Sequence, residues 1–150
     1  MNEDTSARTR VMIVDDHEIV RRGIAEIVDR DDALEVVAEA GTVADAVRRA
    51  DLVRPDVILV DLQLPDGTGI DIMNRLRASH PQILPVVLTS FDDDEALAES
   101  LEAGARAYIL KTVRGAAITD VIKAVADGGV LLVRGNLYPK RGGPGGPPAY

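Results

Sequence analysis

Five polar positions could do chemistry together: the adjacent carboxylates Asp15 and Asp16, the single carboxylate Asp61, the hydroxyl of Thr89 and the ammonium of Lys111. Each follows or ends a short apolar run, VMIV before Asp15, VILV before Asp61, PVVL before Thr89 and AYIL before Lys111. Two carboxylates about 4 Å apart repel by roughly 4 kcal/mol at an effective dielectric near 20. If these groups converge, three carboxylates against one ammonium leave two negative charges uncompensated, which calls for a divalent cation. A site of oxygen ligands with few protein contributors suits Mg²⁺ better than Ca²⁺. Such a site accepts a phosphoryl group, and Asp61 is the natural acceptor. It closes a run in the middle of the chain, and the Pro and Gly residues of the following LQLPDGTG force a loop that leaves it accessible. An aspartate nucleophile forms an acyl phosphate. With the cation and Lys111 counted, that product still carries one surplus negative charge, which the Thr89 hydroxyl can meet by donating a hydrogen bond. A bond to a charged group is worth about 1.5 to 3 kcal/mol, enough to shift a two-state equilibrium by roughly one to two powers of ten.

The positions converge if the runs are strands of one parallel sheet. Val11 to Val14, Leu34 to Ala38, Val57 to Val60, Pro85 to Leu88 and Ala107 to Leu110 are continuous and rich in β-branched residues, as strands buried on both faces are. Between them lie helical spacings: Ile19, Ile24, Ile27 and Val28; Val43, Ala46, Val47 and Ala50; Ile70, Ile72, Met73 and Leu76; Leu97, Ala98 and Leu101; Ala117, Val121, Ile122 and Val125. Thr42 with Asp45 and Asp92 with Glu95 mark helix starts, and Gly104 and Gly128 mark helix stops. Strand and helix alternate five times, which predicts a doubly wound α/β fold with helices on both faces. In an open parallel sheet, ligands bind beyond the carboxyl ends of the strands. The second strand brings only Glu39 there, to one side. His17 is read as a helix-start polar residue, and His80, in a loop before Pro81, carries no role.

Composition narrows the function. The 150 residues are 46% apolar, enough for one core, with a net charge of −8 that argues against this segment binding nucleic acid. No cysteine is present, so disulfides and thiolate chemistry are excluded. The start, MNEDTSARTR, lacks the apolar stretch of a signal peptide, and no run reaches the roughly 20 apolar residues of a membrane span, so a cytoplasmic location without membrane attachment is expected. Residues 1–9 are expected to be a flexible N-terminal segment, and residues 10–133 the folded domain. The tail 134–150 is expected to be a mobile linker, because nine of the last sixteen residues are Gly or Pro.

The segments VMIVDDHEIVRRGI, VILVDLQLPDGTGIDIM, VVLTSFDDDEALAESLEAGARAYILK and ITDVIKAVADGG together resemble the receiver domain of two-component response regulators, of the NarL/FixJ (LuxR-type) group. The resemblance runs from about Arg10 to Gly129. It implies a flavodoxin-like, CheY-like five-stranded sheet of order 2-1-3-4-5. It implies that Asp15 and Asp16 hold Mg²⁺, that Asp61 is both metal ligand and phosphorylation site, and that the Gln63 backbone carbonyl completes the metal site. Thr89 is implied as the switch hydroxyl, Lys111 as the phosphoryl clamp, and Tyr108 as the aromatic that moves inward with the switch. Pro65 and Gly69 fall in their family places, whereas Thr112 replaces the proline that many receivers carry after the lysine. The implied donor is a sensor histidine kinase, and the implied role is that of a phosphorylated switch rather than a metabolic enzyme. A homodimer is an implied partner, through the helix from about Asp93, the last strand and the helix from about Arg114. Transcription regulation would run through a C-terminal helix-turn-helix, which residues 134–150 do not provide; a stand-alone interaction module is the alternative. An aspartate-nucleophile phosphatase would need Asp-x-Asp after the first strand, and a dinucleotide-binding domain a Gly-rich turn, where this chain has VDDHE.

Overall fold

The structure is a computed structural model that describes residues 8–90, 93–113, 115–129 and 131–132. Five parallel strands form the body of the sheet: β1 (Thr9–Val14), β2 (Leu34–Ala40), β3 (Val57–Val60), β6 (Leu84–Thr89) and β7 (Ala107–Leu110). Their order is β2-β1-β3-β6-β7, the expected 2-1-3-4-5 arrangement. A sixth strand, β8 (Leu131–Leu132), pairs parallel to β7 at the edge. Two residues are too few to stand out in an apolar run, so periodicity does not announce it. A two-stranded antiparallel ribbon, β4 (Gln63–Leu64) with β5 (Gly67–Thr68), folds the loop after β3. β1 starts at Thr9, the last residue of the segment 1–9, and residues 1–7 lie outside the described residues. The tail 134–150 lies outside the described residues.

All the main strands except the edge strand β2 are buried on both faces, and alternate residues serve opposite layers. Val11 and Ile13 of β1 join Val57, Leu59, Val86 and Ile109 under α1 (Glu18–Asp29) and α5 (Gly115–Ala126). Met12, Val14, Ile58 and Val60 face α2 (Val43–Val53) and α3 (Gly69–Ser79). The fifth helix, α4 (Asp94–Glu102), covers a smaller layer in which Tyr108 packs with Met73, Val87 and Leu110, with Leu97 at its edge.

Two helical stripes differ from the sequence reading. Ile19 is 87% exposed, because it sits in the first turn of α1, beyond the strand ends, while Ile24 and Val28 enter the core. In α4 the fully buried residue is Ser100, its hydroxyl donating to the Ala96 carbonyl at 2.8 Å, while Leu97 is half-buried and Ala98 and Leu101 are exposed. The helix thus meets the domain through its small residues. Its cap also shifts: Asp93 accepts from the Glu95 and Ala96 backbone at 2.8 and 3.3 Å, so the start lies one residue after the expected Asp92. Thr42 caps α2 as expected, and Gly104 and Gly128 follow α4 and α5 with φ of +106° and +97°.

Ile58 is fully buried in the middle of β3, under α2 and α3. Truncation to alanine should cost about 2 to 5 kcal/mol, the range for deleting a large aliphatic side chain from a packed core. Urea unfolding of Ile58→Ala should show a lower midpoint with an unchanged slope.

Candidate functional site

The chain runs from β1 outward to β2 and then returns to place β3 on the other side of β1, so the connections diverge at the β1/β3 junction and leave a crevice there. Asp15 and Asp61 are the residues that follow β1 and β3 into it. The ladder fixes both backbones: Asp15 N–H donates to the Ala40 carbonyl at 3.0 Å, and Asp61 N–H to the Val14 carbonyl at 2.9 Å. On the far side, Lys111 N–H donates to the Thr89 carbonyl at 2.8 Å, which sets the lysine just past β7.

The Lys111 ammonium stands 2.7 Å from Asp15 Oδ2 and 2.9 Å from Asp61 Oδ2. These carboxylates are nearly closed off, with the two residues 2% and 5% exposed. Burial opposes the charge of the Lys111 ammonium, but hydrogen bonds from it to Asp15 and Asp61, together with their negative charge, outweigh that cost and raise its pKa above that of an ordinary lysine. The sequence reading left Asp61 accessible; the structure makes it the floor of a cleft of about 290 Å³, lined also by Asp16, His17, Gln63, Pro65, Ser90 and Lys111.

Asp16 is exposed at the rim. His17, the N-cap residue of α1, donates its backbone N–H to Asp15 Oδ1 at 2.9 Å, and its ring Nδ1 lies 3.3 Å from Asp15 Oδ1 and 3.1 Å from Asp16 Oδ1. Potential ligand atoms of Asp15, Asp16, His17 and Asp61 all lie within 4.8 Å of one another. A hard cation with ligand distances near 2.1 Å fits such a group. The sequence reading gave His17 no part in this cluster, and only its place beside the acidic pair pointed there.

Thr89 is fully buried at the end of β6, and Tyr108 is fully buried in β7, so the ring already occupies an inward position. Gln63 N–H lies 3.4 Å from Asp61 Oδ1, at the start of the β4–β5 ribbon.

The loop after Asp61 is held by Gly69 and by three residues not singled out from the sequence, Asp66, Thr68 and Asp71. Gly69 packs so closely that a Cβ there would stand 2.5 Å from the Asp61 carbonyl oxygen. Thr68 and Asp71 form a reciprocal cap on α3, and the Thr-x-x-Asp spacing was the available signal. Asp66 ties the loop to α2 by accepting from Val43 and Ala44 N–H at 2.7 and 3.1 Å. No spacing rule would reveal that bond, because its partners are more than twenty residues away.

Comparison with known proteins settles the family. The model of the response regulator receiver domain matches residues 11–123. The chain belongs to this family. Over 123 residues it is 42% identical to the DNA-binding transcriptional activator DevR/DosR of Mycobacterium tuberculosis, covering 82% of this chain and 57% of that protein. It is 41% identical to the transcriptional regulatory protein LiaR of Bacillus subtilis, covering 79% of this chain and 56% of the relative. Among solved structures, a LuxR-family two-component response regulator from Aurantimonas sp. SI85-9A1 matches with a TM-score of 0.80 at 30% identity, covering 84% and 89% of the two chains. The chain therefore spans little more than half the length of these curated relatives, one a transcriptional activator and the other a transcriptional regulatory protein. Among the described residues no helix is long and apolar enough to cross a membrane.

The Asp66 bonds to Val43 and Ala44 hold its carboxyl below the usual aspartate range. A depressed folded-state pKa contributes stability that is present above the unfolded value, about 3.9, and is lost as pH falls through the folded value. Asp66→Ala should therefore lower the melting temperature at neutral pH, and the gap from the parent protein should close as thermal melts are taken below pH 4.

Proposed function

We propose that this receiver takes a phosphoryl group on Asp61, with a Mg²⁺ ion held by Asp15, Asp16, Asp61 and the Gln63 carbonyl. The observation that carries this reading is the Lys111 ammonium within 3 Å of two buried carboxylates at the sheet's switch point. One ammonium cannot balance three carboxylates, and Asp16 lines the same cleft as Asp61 and Lys111. A bound cation supplies the missing positive charge to both the carboxylates and the incoming phosphoryl oxygens. The rest is the work of the chain. An Asp61 oxygen attacks phosphorus in line, a P–N bond to a kinase phosphohistidine breaks, and the histidine nitrogen keeps the electron pair. Lys111 meets the charge on the transferring oxygens, which is the main form of catalysis open to such a site.

The acyl phosphate then recruits the Thr89 hydroxyl, and the packing around Tyr108 and α4 responds. Among the described helices α4 buries the fewest of its own residues, Ser100 alone, so it has the least to lose from rearrangement. Output follows through this face, by a homodimer or by a DNA-binding segment of a longer protein. The partner in phosphotransfer is a sensor histidine kinase, the compartment is the cytoplasm, and the chemistry is that of a switch rather than a metabolic enzyme.

Incubation with acetyl phosphate and Mg²⁺ should raise the intact mass by one phosphoryl group, about 80 Da. Asp61→Asn should not gain it, and omission of Mg²⁺ should abolish it. Equal labelling of the Asn variant would overturn the assignment of the acceptor.

A further inference from the structure

Arg21 lies in the first turn of α1, and its side chain turns back toward the loop that carries Asp15 and Asp16. Its Nη1 donates to the Asp15 carbonyl oxygen at 2.8 Å, and its Nε donates to Glu39 Oε1 at 3.0 Å, near the end of β2. The side chain is 18% exposed, whereas that of its neighbour Arg22, 3.9 Å from the other Glu39 oxygen, is 69% exposed. The guanidinium passes over Gly41, where an added Cβ would lie 3.3 Å from Nη1 and 3.7 Å from the Asp15 carbonyl oxygen. A larger residue at position 41 would crowd this path.

The consequence for the site comes from peptide geometry. The Asp15 carbonyl and the Asp16 N–H belong to one planar unit, so fixing the carbonyl also fixes the direction in which the chain enters Asp16. Asp15 has further restraints, because its N–H is bound by Ala40 and its carboxylate by Lys111. Among the described residues Asp16 has fewer: its carboxylate is partly exposed and lies 3.1 Å from the His17 ring Nδ1. The position of Asp16 depends on its backbone.

We propose that Arg21 is a positioning residue for divalent-cation binding, its fork joining Glu39 to the Asp15 carbonyl so that the Asp15–Asp16 peptide is held in the ligating orientation. This rests on the reading above that Asp15, Asp16 and Asp61 hold the cation. A planar guanidinium suits the task because it bonds two acceptors at once from a fixed fork. If the loop samples other orientations, the apparent affinity falls by the fraction that remains competent.

Charge and position act in opposite directions here, which makes the proposal testable. Deleting a positive charge near a cation site should strengthen cation binding through the field alone, whereas loss of positioning weakens it. The experiment is calorimetric titration of the 150-residue chain with MgCl₂, alongside melting without metal. Arg21→Met should bind Mg²⁺ about tenfold more weakly, in the range found when groups supporting metal ligands are removed. Arg22→Met removes the same charge beside the same Glu39 and should bind as the parent protein or slightly tighter. Should Arg21→Met fail to fold, Arg21→Lys keeps the charge but cannot bond both acceptors together, and it should bind a few-fold more weakly. A folded Arg21 variant with parental or tighter affinity overturns the positioning role and leaves the metal site standing. No Mg²⁺ binding by the parent protein would remove the metal reading and this role with it.

Discussion

Two carboxylates held side by side, almost without water, are the constraint around which this domain is arranged. Asp15 and Asp61 leave adjacent parallel strands at the point where the chain's winding reverses, and Lys111 reaches across from β7 to touch both. Burying charge is costly unless it is paired, and removing one partner from a buried group strands the others. The ammonium answers part of that cost and leaves a deficit of positive charge that the site can use.

The apolar architecture makes this possible. Four of the five main strands bury their interior residues on both faces, so the polar groups are confined to the carboxyl ends. The loops there are then fixed by side chains and close packing: Asp66 bonds to the start of α2, Arg21 bonds to β2 and to the Asp15 carbonyl, and Gly69 packs against the Asp61 backbone. Buried strands carry Asp61 and Lys111, while α4 is held by a small contact layer.

Much of this was legible in the sequence, for identifiable reasons. Continuous β-branched runs mark buried strands, and a polar residue at the end of such a run has few places to go, so Asp15, Asp61, Thr89 and Lys111 could be placed on one rim. The strand order came from resemblance to the receiver family, since periodicity carries no information on which strands pair. What stayed hidden were contacts between residues distant in sequence, such as Asp66 with Val43, and the burial of short helices. In α4 the apolar spacing of Leu97 and Leu101 suggested a core stripe, but Ser100 took that place because a small residue lets the helix approach closely. The edge strand Leu131–Leu132 was invisible because two residues show no period.

The central claim is that Lys111 and a divalent cation share the task of neutralising one carboxylate cluster. Calorimetric measurement of Mg²⁺ binding to Lys111→Met, compared with the unphosphorylated parent protein, tests it most directly. Removing a positive charge that sits 2.7 Å from Asp15 Oδ2 and 2.9 Å from Asp61 Oδ2, two of the proposed ligands, should tighten Mg²⁺ binding, by about tenfold or more on a Coulomb estimate at an effective dielectric near 20. Unchanged or weaker binding in the folded variant would contradict the account.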